Sequence, residues 1–359
     1  MFESYREFHY TLAGRPLIIE TGKMAGLANG SCLVRYGDTV ILATATASEK
    51  PRDGVDFLPL SVDFDERQYA AGKIPGGYFR REGRPTEKAI ITSRLIDRPL
   101  RPLFPKDLRN DVAINLLVLS VDLDNSPEIA AMLGASVALS ISDIPWNGPI
   151  AGVFVGLVDG EYVLNPTAAQ RERSRLELTV AGTKEKVIMI EAGAKEVSNE
   201  EMYNAIMFAQ EENKKLCEFI ANIQAEIGKP KFEYTPEEIN QELYEKIKEF
   251  CIEDVKAALD TDDKNVRDEA MQALTEKVYA QFDEEYPDSH AMMDLILYYL
   301  QKAVVREWLL EGKRVDGRAL DEIRPMAAEV GLLPRVHGSA MFTRGQTKVI
   351  TAATLGSLA

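Results

Sequence analysis

Apolar and polar positions alternate with a period near two along the first part of the chain. Leu17–Glu20, Ser31–Arg35, Thr39–Thr46 and Leu58–Phe64 are β-branched or apolar runs broken by Gly, Asp and Pro, and they predict strands. Lys50–Gly54 reads as a loop. Residues 67–84 are charged and rich in glycine (Gly72, Gly76, Gly77), which predicts a long, mobile loop rather than a packed element. The period turns helical over Thr86–Asp97: Thr86 can cap the start, Ile90, Ile91, Leu95 and Ile96 form a stripe, and Pro99 and Pro102 close the end. Asp111–Leu123 predicts a buried strand, and Pro127–Ser142 a helix of small residues packed close against a sheet. Val153–Leu157, Tyr162–Leu164, Arg175–Val180 and Lys186–Glu191 predict a second set of strands.

Helical spacing then dominates. Ser198 and Glu201 form a capping box. Met202, Ile206, Ala209, Asn213, Leu216, Ile220, Ile223 and Ile227 follow at alternating steps of four and three, an apolar seam that only Asn213 interrupts. Gly228 and Pro230 stop it. Thr235, Pro236 and Glu238 supply the N-cap, first-position proline and third-position acid of a separate helical domain over residues 235–311. Leu243, Ile247, Phe250, Val255 and Leu259 give its first apolar stripe, and Asn265–Tyr279 and Ser289–Leu310 predict further helices.

After that domain the chain repeats itself. NGSCLVRYGDTVILATAT at Asn29–Thr46 returns as HGSAMFTRGQTKVITAAT at His337–Thr354, with six identities in eighteen positions at an offset of 308. Each copy reads as two extended runs around a Gly-containing turn, a hairpin. Gly14-Arg15-Pro16-Leu17 is echoed by Gly317-Arg318-Ala319-Leu320. So long a period suits two duplicated domains rather than a solenoid. The expected arrangement is one complete copy, an intervening region and a second copy truncated at Ala359.

Composition narrows the class. With 45% hydrophobic and 28% charged residues, the chain is an ordinary soluble globular protein. It has no apolar run long enough to span a bilayer, and its N-terminus, MFESYREFHY, lacks a secretory core, so no membrane partner is expected and the cytoplasm is. Cys32, Cys217 and Cys251 have no metal-type spacing and read as buried free thiols. The net charge of −15 argues against nucleic acid until its distribution is considered. Arg80–Arg109 holds nine basic and four acidic residues, whereas Glu233–His290 holds eighteen acidic and six basic. A basic island on an acidic body focuses a polyanion onto one place; alternatively, the arginines pair with internal carboxylates.

Within the island, Tyr78-Phe79-Arg80-Arg81, with Arg84 nearby, suits single-stranded nucleic acid. Rings stack on any base and guanidinium groups fork onto phosphates. Simple surface packing is the competing reading. Arg94, Arg98 and Arg101 share a helix face with Asp97 among them, either as a phosphate cradle or as structural ion pairs. Asp63, Asp65 and Glu66 are clustered, but strand alternation splits them, so no metal site is expected there. His9, His290 and His337 sit in no nucleophilic triad, and His290 reads as part of a helix cap.

GGYFRREGRPTEKAIITSRLIDRPLRPLFP at Gly76–Pro105 resembles the signature loop and helix in the first half of the bacterial polynucleotide phosphorylase (polyribonucleotide nucleotidyltransferase) family. KRVDGRALDEIRP at Lys313–Pro325 and RVHGSAMFTRGQT at Arg335–Thr347 resemble the opening of that family's second half. The resemblance covers the whole chain and implies an α+β fold. A first RNase PH-type β-α-β domain would occupy residues 1–143 (N-terminal part) and 144–232 (C-terminal part). An all-helical linker domain at 233–311 and the truncated start of a second RNase PH-type domain at 312–359 would follow.

It also implies a 3′-to-5′ phosphorolytic exoribonuclease of mRNA degradation. Inorganic phosphate attacks the terminal phosphodiester, nucleoside diphosphates leave and Mg²⁺ assists. Such enzymes form homotrimeric rings, with KH and OB modules after the second half. Tyr78, Phe79, Arg80, Arg81 and Arg84 would grip single-stranded RNA; Tyr78 stands where many relatives carry Phe. The family's catalytic pattern lies in its second half. Laid on the first half, its serine run falls at Ser126-Pro127-Glu128, and its Asp, Asp and Lys fall at Arg171, Glu177 and Thr179. The resemblance therefore implies no catalytic and no metal residue in this segment. Two other readings stay open: a stand-alone RNA-binding, ring-forming module, and a metabolic enzyme holding a small phosphorylated substrate on the 86–109 arginines.

Overall fold

The computed structural model describes residues 4–52, 55, 57–234 and 239–357. The chain divides into two compact units, Met1–Pro236 and Glu237–Ala359.

In the first unit, β1 (Arg6–Leu12), β2 (Arg15–Thr21), β3 (Gly30–Tyr36), β4 (Thr39–Pro51), β5 (Leu60–Glu66), α1 (Glu87–Leu100) and β6 (Asn110–Ser120) build a sheet of order β1-β2-β3-β4-β6-β5. Its pairs are antiparallel except β5 with β6, which are parallel and joined across α1. β1 is absent from the sequence reading because it is an edge strand: only Leu12 is fully buried, so its apolar signal is weak. Lys50 and Pro51, expected in a loop, end β4, where Pro51 lies opposite Asn110 after a register shift; Asp53 and Gly54 lie outside the described residues. Thr86 caps α1 by accepting the Ala89 N–H at 3.1 Å. Pro99 does not close α1 but sits inside its last turn, where a proline forfeits one backbone donor near an end that is already terminating.

α2 (Pro127–Ile141) is the centre of this unit, with every residue buried except Glu128. It packs on β3, β4 and β6 and also on a second antiparallel sheet. That sheet, of order β10-β9-β7-β8, is formed by β7 (Ala151–Val158), β8 (Glu161–Leu164), β9 (Leu176–Gly182) and β10 (Val187–Ala194). Gly134 makes the close approach: a Cβ there would meet the Ala43 Cβ at 2.9 Å and the Val34 Cγ2 at 3.0 Å. The short α3 (Ala168–Arg173) follows β8 and was too short to read from periodicity. α4 (Asn199–Ile227) starts at the Ser198–Glu201 capping box, ends at Gly228 and covers β7 and β9. The polar residue in its seam, Asn213, is fully buried and donates to the Val180 carbonyl at 3.1 Å, fixing the helix on β9.

In the second unit, α5 (Gln241–Leu259), α6 (Lys264–Phe282) and α7 (His290–Leu310) enclose Leu243, Ile247, Val255, Val278, Leu297 and Leu300. The cap read at Thr235–Glu238 lies outside the described residues; Asn240 caps α5, accepting the Leu243 N–H at 3.1 Å. β11 (Met326–Val330), β12 (Gly338–Arg344) and β13 (Thr347–Ala353) then form a three-stranded antiparallel sheet. The repeat is present in the register itself. Gly30 lies opposite Ala45 as Gly338 lies opposite Ala353, and Gly37 (φ 57°) and Gly345 (φ 58°) turn the two hairpins. Such φ values favour glycine. No helix of the described residues is long and apolar enough to cross a membrane.

The hairpin β3–β4 lies beneath α2, whereas every residue of β11 and β13 is exposed. Amide hydrogens of β12–β13 are therefore expected to exchange at least about 100-fold faster than those of β3–β4, because local opening there exposes little new apolar surface. Exchange measured by mass spectrometry checks this, and equal protection of the two hairpins would contradict it.

Candidate functional site

Between β5 and α1 the chain makes a 3-10 turn, Gln68–Ala71, closes it with Gly72 at φ 68° and then travels out and back to Thr86. Tyr78 and Phe79 lie on this excursion and are 94% and 78% exposed. Their rings meet edge to face at 5.2 Å. The Arg80 N–H donates to the Gly77 carbonyl at 3.0 Å, and Arg80 has φ 51°, so a tight turn follows the glycine pair. Arg80, Arg81 and Arg84 are exposed, and among the described residues none forms an ion pair or a side-chain hydrogen bond. The loop thus presents two ring faces and three uncommitted guanidinium groups to solvent.

The other arginines are differently placed. Arg98 pairs with Glu191 of β10. Arg101 forks onto Asp97 at 2.7 and 2.9 Å and donates to the carbonyls of Leu58 (3.3 Å) and Leu60 (3.1 Å). Arg94 is exposed and has no such partner. Arg98 and Arg101 therefore bind α1 to its surroundings, and the three do not converge on one cradle. Asp65 pairs with Arg67 at 3.0 Å and Glu66 lies 3.6 Å from Lys88, and the described residues hold no group of three potential metal ligands. His290 stacks on Tyr279 and meets Asp283 at 2.7 Å, and the His337 Nδ1 accepts the Leu355 N–H at 2.8 Å.

A cleft of about 730 Å³ opens where α1, the start of α2 and strands β9 and β10 meet, and Lys88, Glu128, Arg171, Glu177, Thr179 and Glu191 line it. Glu128, Arg171, Glu177 and Thr179 are the positions on which the family's catalytic pattern falls, so the fold gathers them in one place. Their chemistry is not that of a phosphate or metal site. The N-terminus of a helix attracts anions, but here α2 supplies its own: Glu128 accepts from the Ser126 hydroxyl and lies 3.0 Å from the Lys88 ammonium. Burial pushes the Glu128 carboxyl up, but Ser126 and Lys88 outweigh burial and hold it below the ordinary carboxylate range. Lys88, depressed by burial, is raised overall by Glu128 and Glu66. Arg171 donates to the carbonyls of Leu123 (2.7 Å) and Pro166 (3.2 Å) and brings a cation where a metal would need an anion. These donors do not fit Mg²⁺, which binds through carboxylates and keeps its waters. The Lys88–Glu128 pair was not read from the sequence.

Comparison with known families agrees with the duplicated fold. The family model for the 3′ exoribonuclease family, domain 1, matches residues 13–145 and again 322–359, the two copies of the hairpin. Domain 2 of the same family matches residues 148–212, and the polyribonucleotide nucleotidyltransferase RNA binding domain matches 242–319. The fold is thus the RNase PH type: one domain, a helical region and the start of a second such domain. Polyribonucleotide nucleotidyltransferase of Ruminiclostridium cellulolyticum is 58% identical over 99% of this chain and 50% of its own length. Its namesakes from Caldicellulosiruptor saccharolyticus and Lachnoclostridium phytofermentans are 56% and 53% identical over 96% and 99% of the chain. The chain belongs to the polyribonucleotide nucleotidyltransferase family, corresponds to the N-terminal portion of its members and spans about half the length of these curated relatives.

A carboxyl whose pKa is lower in the folded than in the unfolded state stabilises the fold above the unfolded value, and this contribution fades as pH falls through the folded value. Glu128→Gln is therefore expected to cost about 1 kcal/mol at pH 7, with the difference closing as pH drops below 4.5. Urea titrations at pH 7 and in the acid range check this; a difference that persists undiminished in acid would contradict it.

Proposed function

We propose that this chain is the RNA-gripping, non-catalytic half of a 3′-to-5′ phosphorolytic exoribonuclease. The whole enzyme acts in cytoplasmic mRNA degradation as a homotrimer and uses inorganic phosphate and Mg²⁺. Residues 1–143 and 144–232 form the first RNase PH domain, 233–311 the linker domain and 312–359 the start of the second RNase PH domain. The observation that carries the reading is the pairing of two states in one unit: exposed rings and unpaired arginines on the 68–86 loop, and a cleft whose helix end is already met by its own carboxylate.

Tyr78 and Phe79 offer base-stacking faces, each contributing about 1–3 kcal/mol per stacked base regardless of sequence. Arg80, Arg81 and Arg84 hold phosphates in fork geometry. The acidic body, densest over Glu233–His290, repels the strand elsewhere and confines it to the basic island. In the cleft, Glu128 repels phosphate and leaves Lys88 neutralised, so no phosphorolytic step runs through it. Mg²⁺, when bound by the whole enzyme, supplies charge stabilisation at the phosphoryl oxygens, on residues other than these.

The alternative is a stand-alone RNA-binding and ring-assembly module, a reading supported by the match of residues 242–319 to an RNA binding domain. Both readings require the chain itself to be inactive. Incubated with labelled oligoadenylate, phosphate and Mg²⁺, it is expected to release no ADP, and ADP release would contradict the silent cleft. Arg80→Ala with Arg81→Ala is expected to weaken binding of single-stranded RNA about tenfold or more. It should also reduce the log–log salt slope by about 1.4, since each phosphate contact on a single strand contributes about 0.7. Fluorescence anisotropy across a salt series measures both, and an unchanged slope would remove the loop from the account.

A further inference from the structure

We propose that Glu82, an acidic residue inside the basic loop, is a positioning residue that holds the loop in its gripping shape. This deepens the RNA-gripping role and rests on that reading.

The loop has a fixed stem and a free tip. The stem is the 3-10 turn Gln68–Ala71, tied to the sheet because the Ala70 carbonyl accepts the Val121 N–H at 3.2 Å. A helical turn leaves its first N–H groups unpaired unless a side chain caps them, and Arg67, at the capping position, makes no such bond. The cap comes from across the loop instead: a Glu82 carboxylate oxygen accepts the Gln68 N–H at 2.9 Å. That contact closes residues 68–82 into a ring whose tip carries Tyr78, Phe79 and Arg80, with Arg81 immediately before the closure and Arg84 just beyond it. Glu82 is partly buried where Arg80, Arg81 and Arg84 are exposed. A small cavity lined by Gln68, Lys73, Glu82, Arg84 and Thr86 marks where the two limbs of the loop meet.

Simple electrostatics gives Glu82 the opposite role. A carboxylate beside a phosphate-binding surface repels the strand, and its removal should tighten binding by up to about twofold in water. If Glu82 is the clasp, removing it lets the returning limb wander, and the arginines beside it must then be ordered at the moment of binding. The two roles differ in sign, and Glu82→Gln separates charge from clasp: it deletes the charge and keeps a carbonyl oxygen to accept the Gln68 N–H.

The test measures binding of a labelled single-stranded oligoadenylate to the full chain, without phosphate or Mg²⁺. Glu82→Ala is expected to weaken binding about fivefold, and Glu82→Gln to bind at least as tightly as the native chain. Amide exchange at Gln68 is expected to speed up in Glu82→Ala and not in Glu82→Gln. Equal affinity of the two variants, or tighter binding by Glu82→Ala, would overturn the inference. Should Arg80→Ala with Arg81→Ala leave RNA binding unchanged, the RNA-gripping role itself fails. The clasp is then judged by the Gln68 exchange rate alone, and exchange unaffected by Glu82→Ala overturns it.

Discussion

The burial of α2 on all sides is the constraint on which the first unit depends. Between two sheets there is room for a helix only where it can approach closely, and Gly134 against Ala43 and Val34 makes that approach to β3 and β4. A helix so enclosed cannot shift to accommodate a ligand. Whatever residue stands at its N-terminus therefore decides the chemistry of the cleft in front of it. With Glu128 there, held by Ser126 and Lys88, the partial positive charge of the helix end is already met.

Under the proposed function, the first unit grips a strand without cutting it. The loop between β5 and α1 carries its rings and arginines outward, and among the described residues Arg80, Arg81 and Arg84 form no ion pair. Of the arginines that follow, Arg98 ties α1 to β10 and Arg101 is committed to Asp97 and to the carbonyls of Leu58 and Leu60, whereas Arg94 has no such partner among the described residues. One stretch of basic sequence thus contains two populations, and the unpaired one remains available to a polyanion.

What could be read from the sequence is what depends on neighbours along the chain. Ser198 and Glu201 announce α4 because a capping box is local, and the repeated hairpin is legible because Gly37 and Gly345 are demanded by the turn. The residues that arm or disarm the site were hidden for the opposite reason. Lys88 and Glu128 are forty residues apart, and nothing near either of them encodes the other. Glu82 could have been noticed as the acid in a basic run, yet its partner is a backbone N–H, which leaves no trace in sequence. β1 was missed because an edge strand buries little, and Pro99 was overread because a proline in a last turn removes only one donor. Asn213, the one blemish in a clean apolar seam, marks a specific bond to Val180.

The proposed division of roles depends on the cleft being closed to phosphate and metal by its own residues. Crystals of the chain soaked in Mn²⁺ and tungstate, examined by anomalous scattering, test this directly. No manganese or tungsten peak is expected among Lys88, Glu128, Arg171, Glu177 and Thr179. A manganese ion held by Glu128 and Glu177, or a tungstate seated at the start of α2 with Glu128 displaced, would contradict it.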